Sequence, residues 1–89
     1  MPMSWWIRVP RGTSPRLRAC LGAENSDQNF ERCVHEIVAS HQSKVLKFHH
    51  PGHGRFSHVH VDAPDAALKT ALMADLEAEE IEDPEQHAG

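Results

Sequence analysis

The chain has no tyrosine, and its large rings are limited to three phenylalanines and two tryptophans in 89 residues. So sparse a set supports one core, and the length leaves room for one domain of modest stability. Cysteine is equally scarce. Cys20 and Cys33 are too few for a disulfide framework, and they lack the paired CxxC spacing of a zinc site or redox motif. Reduced, inert thiols are the expectation. A single disulfide would need Cys20 to fold back on the helix that carries Cys33, which the sequence neither forbids nor indicates. Long apolar runs are missing too. Met-Pro-Met-Ser-Trp-Trp is followed by Arg8, Pro10 and Arg11, so no run has signal-peptide or membrane-span length. The default expectation is a cytoplasmic protein without a membrane partner.

Signatures of chemistry are absent as well. There is no GxSxG and no glycine-rich phosphate loop, and Cys33 and His35, although close in sequence, point apart on a helix. The run Glu77, Glu79, Glu80, Glu82, Asp83 and Glu85 reads as a solvated like-charge stretch, not as paired catalytic carboxylates. No catalytic residue and no cofactor is expected.

Charge is present but unevenly placed. Arg8, Arg11, Arg16 and Arg18 oppose Glu24 alone before residue 26, whereas nine carboxylates oppose only Lys69 from Asp62 onward. An acidic last third in a domain of net charge -4 repels a polyanion, which weighs against nucleic acid as a partner.

Periodicity divides the chain into six elements. Ser4 to Pro10 reads as a strand in which Trp5, Ile7 and Val9 alternate with Ser4, Trp6 and Arg8. Residues 11–25 form a long basic loop with room for one helical turn around Leu17 to Leu21. Ser26 caps a helix whose buried stripe is Phe30, Val34, Ile37, Val38 and His41. Lys44 to His50 is a strand with Leu46 and Phe48 on one face, and Pro51-Gly52-His53-Gly54 turns it into a second strand from Phe56 to Val61. In that strand Val59 and Val61 share one face while Phe56, His58 and His60 share the other. Asp62 caps the next helix, with Pro64 and Asp65 in its first turn and Leu68, Ala71, Leu72 and Leu76 along its stripe. A short strand holds Ala78 to Glu82, and residues 84–89 are a flexible tail.

The order strand, helix, strand, strand, helix, strand predicts an α+β, ferredoxin-like βαββαβ sandwich. Residues 1–83 form a four-stranded antiparallel sheet with two helices on one face. Its expected core is Ile7, Val9, Phe30, Val34, Ile37, Leu46, Phe48, Val59, Val61, Leu68, Leu72 and Leu76. The other sheet face stays uncovered and offers a platform for a partner.

Eight histidines, five of them between His49 and His60, bring metal to mind. His58 and His60 would point the same way, with His49, His50 or His53 close across the hairpin, but no zinc signature matches. Solvent-facing sheet histidines are the plainer reading, so no metal is expected and His49, His53, His58 and His60 are the candidates should one bind.

Pro51-Gly52 through Phe56, then Leu68, Leu72 and Leu76, and the closing Ile81-Glu82-Asp83-Pro84-Glu85 together resemble the subtilisin propeptide-like inhibitor family. In that family a glycine-containing hairpin and a phenylalanine precede a leucine-rich second helix, and the last strand closes with an Ile-Glu-x-Asp type sequence. The resemblance implies an inhibitor and folding chaperone of a subtilisin-like serine protease. Phe56, His58 and His60 would line the docking face, and Glu79, Glu80, Glu82 and Asp83 would sit against protease helix N-termini. Glu85, Gln86, His87, Ala88 and Gly89 would lie in the substrate cleft. The alternative is a non-catalytic ferredoxin-like interaction module, self-associating through its sheet face or an edge strand, or binding metal through its histidines.

Overall fold

Alternation at the start of the chain produces β1 (Met3–Pro10), which buries Trp5, Ile7 and Val9 on one side. The structure, a computed structural model, describes residues 3–52 and 55–84. After β1 come α1 (Pro15–Leu21), α2 (Asp27–Ser40), β2 (Lys44–His49), β3 (Phe56–Ala63), α3 (Ala66–Leu76) and β4 (Glu79–Ile81). The strands form one antiparallel sheet in the order β2-β3-β1-β4. All three helices contribute to a single apolar cluster with Trp5, Ile7, Val9, Val59, Val61 and Ala63, so they lie on the same sheet face. This α+β arrangement is compatible with a ferredoxin-like sandwich that carries one helix more than expected.

The extra helix is α1. Where the sequence suggests a loop with one helical turn, Ser14 instead caps two turns: its hydroxyl accepts from the Leu17 N–H and donates to the Asp75 carbonyl at 2.6 Å. Pro15 fits the first helical position because its missing N–H would have had no partner there. Leu17 and Leu21 enter the core. The expectation of free thiols is overturned here, since Cys20 of α1 and Cys33 of α2 form a disulfide across a Cα–Cα distance of 5.8 Å.

Ser26 caps α2 as expected, accepting from the Asn29 N–H at 3.1 Å. The cap of α3 differs: β3 runs on to Ala63, Asp62 lies in the strand opposite Ser4 and Lys44, and Asp65 caps the helix. Of the stripe assigned to α3, Leu72 and Leu76 are buried, Leu68 is half-buried and Ala71 is exposed.

A β-bulge makes the main correction to the core. Val45 pairs with Val61 and Phe48 with Val59, so three steps along β2 match two along β3. The additional residue reverses the alternation, brings Val45 and Phe48 to the core side, and leaves Leu46 45% exposed.

Where the three helices meet, Asp75 of α3 pairs with Arg16 of α1 and accepts from His41 Nε2, the residue that ends α2, at 2.9 Å. Burial alone would raise the Asp75 carboxyl, but the His41 and Arg16 hydrogen bonds outweigh it and hold the group below its ordinary value. A depressed folded-state value contributes stability that is complete above the unfolded-chain value of about 3.9 and is lost as pH falls through the folded one. Unfolding free energy should therefore drop as pH falls below about 4, and Asp75→Asn should flatten that part of the profile. Urea melts that show the same slope for both proteins would contradict this role.

Candidate functional site

Strict alternation that sends Ile7, Val9, Val59 and Val61 toward the helices sends their neighbours to the opposite face, which the described helices leave uncovered. Along β3 these are Phe56, His58, His60 and Asp62, and along β1 they are Ser4, Trp6, Arg8 and Pro10. The pairings Trp6↔Ile81 and Arg8↔Glu79 add Ile81 and Glu79 from β4, while Lys44↔Asp62, Lys47↔His60 and His49↔His58 add three side chains from β2.

Rings cover the middle of this face. Trp6 stacks on His60 with centroids 5.0 Å apart and planes 4° from parallel. His49 stacks on His58 at 5.4 Å, Phe56 lies 5.4 Å from His58, and the Arg8 guanidinium sits over the Phe56 ring at 5.1 Å. Trp6 is only 7% exposed although it lies outside the helix-side cluster, so neighbouring side chains cover most of it. A shallow depression at the β4 side is lined by His58, Glu80, Ile81, Glu82 and Pro84.

Phe56, His58 and His60 are thus brought together as the sequence suggests. The acidic residues are not brought to one face. Glu79 pairs with Arg8 on the open face, whereas Glu80, opposite Ile7, reaches Lys69 of α3 at 2.8 Å on the helix side. Glu82 and Asp83 follow β4 directly. His53, Glu85, Gln86, His87, Ala88 and Gly89 lie outside the described residues, as does the tail after Pro84. Among the described residues no group of three or more His, Cys, Asp or Glu side chains is placed to hold a metal ion.

Sequence reasoning missed a second polar cluster, on the helix side at the base of the hairpin. Arg11, 6% exposed, donates to Ser57 Oγ at 2.8 Å and to Asp27 at 2.5 Å, and stacks over the Phe30 ring at 4.6 Å. His50 Nδ1 lies 2.7 Å from Ser57 Oγ and 3.1 Å from Arg11 Nη2, and its Nε2 lies 2.7 Å from Glu31. Because arginine only donates, the network assigns Nδ1 as the acceptor and Nε2–H as the donor to Glu31 in the neutral ring. The Arg11 hydrogen bond holds the Asp27 carboxyl below its ordinary value.

Serine, histidine and glutamate in line have the order of a hydrolytic triad. Ser57, however, is completely buried and already accepts from Arg11, so no substrate carbonyl reaches its hydroxyl in this conformation. The cluster ties the hairpin and the end of β1 to α2. Its signal in the sequence was Ser57 itself, the polar member of an otherwise apolar buried row with Val59, Val61 and Ala63. Comparison with known proteins gives no matching family model, no matching curated protein and no matching solved structure, so the uncovered sheet face has to be read from its own geometry.

Proposed function

We propose that this chain is a non-catalytic, ferredoxin-like protein-binding domain whose uncovered sheet face docks on a subtilisin-like serine protease, as inhibitor or folding chaperone, with residues 85–89 in the substrate cleft. The observation that carries the reading is the ring layer Trp6, His60, His58, His49 and Phe56 on a face that the described helices leave bare. Such a layer offers stiff, amphipathic contact area, which suits a protein partner.

Two further features support it. Pro84 lines the same depression as His58 and Ile81, so the chain leaves β4 beside the docking face. The Cys20–Cys33 disulfide fits an oxidising compartment, where secreted proteases act, in place of the cytoplasm suggested by the sequence. The protease itself comes from the resemblance of the hairpin, the leucine-rich α3 and the Ile81-Glu82-Asp83 ending.

The test is a titration of a subtilisin-type protease with the purified protein while hydrolysis of a chromogenic peptide is followed. Saturable inhibition is expected with a dissociation constant below about 1 µM, and Phe56→Ala with His60→Ala should weaken it by about tenfold or more. Digestion of the protein without inhibition would remove the protease from the account.

A further inference from the structure

Asn29, Arg32, Cys33 and Glu36 are spaced three and four apart along α2, which sets them beside one another on the helix surface. Asn29 reaches across to the end of α1 and the loop after it, donating to the Leu21 carbonyl at 3.1 Å and the Glu24 carbonyl at 2.7 Å. Its side-chain oxygen accepts from Arg32 at 2.7 Å, and Arg32 also donates to Glu36 at 3.2 Å. The guanidinium is thus held from two sides. In this position Arg32 Nη2 lies 3.5 Å from the Cys33 sulfur, while Glu36 Oε2 lies 3.4 Å from the Cys20 sulfur.

The two sulfurs of the Cys20–Cys33 bond differ in access. Cys33 is completely buried and Cys20 is half-buried, so a thiol from solution meets Cys20. They differ in electrostatics as well. In thiol–disulfide exchange a thiolate attacks one sulfur while the other departs as a thiolate, faster the better that departing thiolate is stabilised. An arginine beside a sulfur favours its thiolate. Access therefore selects Cys20 as the sulfur attacked, and Arg32 selects Cys33 as the sulfur that leaves.

We propose that the Cys20–Cys33 bond is a thiol-exchange site, at which a low-molecular-weight thiol becomes attached to Cys20 while Cys33 leaves as a thiolate held by Arg32. In the first step the incoming thiolate bonds to the Cys20 sulfur, the Cys20–Cys33 bond breaks, and its electron pair stays on Cys33. A second thiolate then attacks the thiol-derived sulfur of the mixed disulfide. This releases the small-molecule disulfide and leaves Cys20 as a thiolate, which takes a proton from water and donates it in a hydrogen bond to Glu36. Two thiols are oxidised, and the protein bond is reduced by the same two electrons.

The first step is reversible, because the Cys33 thiolate stays beside Cys20, placed to attack the mixed disulfide and expel the thiol. Exchange removes the covalent tie between α1 and α2 and leaves α1 with its packed leucines and the Ser14 and Arg16 bonds. The site lies on the helix side of the sheet, so it is independent of the protease reading.

The test incubates the folded full chain with glutathione in the absence of denaturant, traps the products with an alkylating agent, and maps them by mass spectrometry of the digest. The expected product carries glutathione on Cys20 and the alkyl group on Cys33. Arg32→Gln should slow its formation at least about threefold, since the departing sulfur loses its cation. Direction separates this role from a structural one: a variant that merely loosened the helices would expose the bond and speed exchange. Arg18→Gln removes a charge two positions from Cys20, on a different side of α1, and should leave the rate within about twofold of wild type. Glutathione on Cys33, an Arg32→Gln rate equal to or above that of wild type, equal slowing by both variants, or no exchange until the chain is unfolded would each overturn the proposal.

Discussion

Phe30→Ala should cost about 3–5 kcal/mol, the range for removing a fully buried phenylalanine ring. A domain of this length holds on the order of 5–10 kcal/mol in total, so the variant sits at or near the edge of unfolding at room temperature. The size of the effect follows from position. Phe30 is completely buried in the second turn of α2, edge-on to Phe48 at 6.3 Å and to His50 at 6.1 Å. It also carries the Arg11 guanidinium on its face. Truncation leaves a cavity and in addition takes away the surface on which the Arg11, His50, Ser57 and Asp27 network rests. Phe48→Ala, at a half-buried edge-strand position, should cost clearly less. Urea melts that rank the two in the opposite order, or a Phe30→Ala cost under about 1.5 kcal/mol, would contradict this packing.

Breaking the Cys20–Cys33 bond should cost about 3 kcal/mol, because the bond closes a loop of roughly fifteen residues whose freedom the unfolded chain regains on reduction. The loss should appear first in α1. Besides the disulfide, that helix is held by Leu17 and Leu21 in the core, by the Ser14 bond to Asp75, and by Arg16 reaching Asp75 and Ser40. Melts with and without reductant measure the total, and amide exchange in α1 locates it. Thiols that react with an alkylating agent in the unreduced native protein would show that the bond does not form.

The sheet and its two faces were legible in the sequence because side chains alternate along β1 and β3 without interruption. Ile7, Val9, Val59 and Val61 fell on the core side and Phe56, His58 and His60 on the other. β2 was misread where a local pattern is silent about register. Leu46 and Phe48 look like one face, and only pairing against β3 shows the residue that breaks the period. α1 was hidden because seven residues are too few to display a periodicity, although Ser14-Pro15 is a start signal that could have been read.

Long-range contacts account for the remaining differences. Nothing local marks Arg11 as a buried hub, since its partners lie 16, 39 and 46 positions away. The disulfide was open for the same reason: Cys33 is fixed on α2, but the place of Cys20 depends on how α1 packs. Among the candidate site residues, Glu79 and Glu80 show the limit most clearly. They look like one acidic cluster in sequence, and adjacency in a strand sends them to opposite sides of the sheet.

The most direct test of the docking face is amide and side-chain NMR of the labelled full chain as a catalytically inactivated subtilisin-type protease is added. Perturbations centred on Trp6, Phe56, His58, His60 and Ile81, with residues 85–89 affected and the exposed sides of α1 and α2 silent, are the result expected. Perturbations confined to the helices, or none at protease concentrations well above 1 µM, would contradict the assignment of this sheet face as the binding surface.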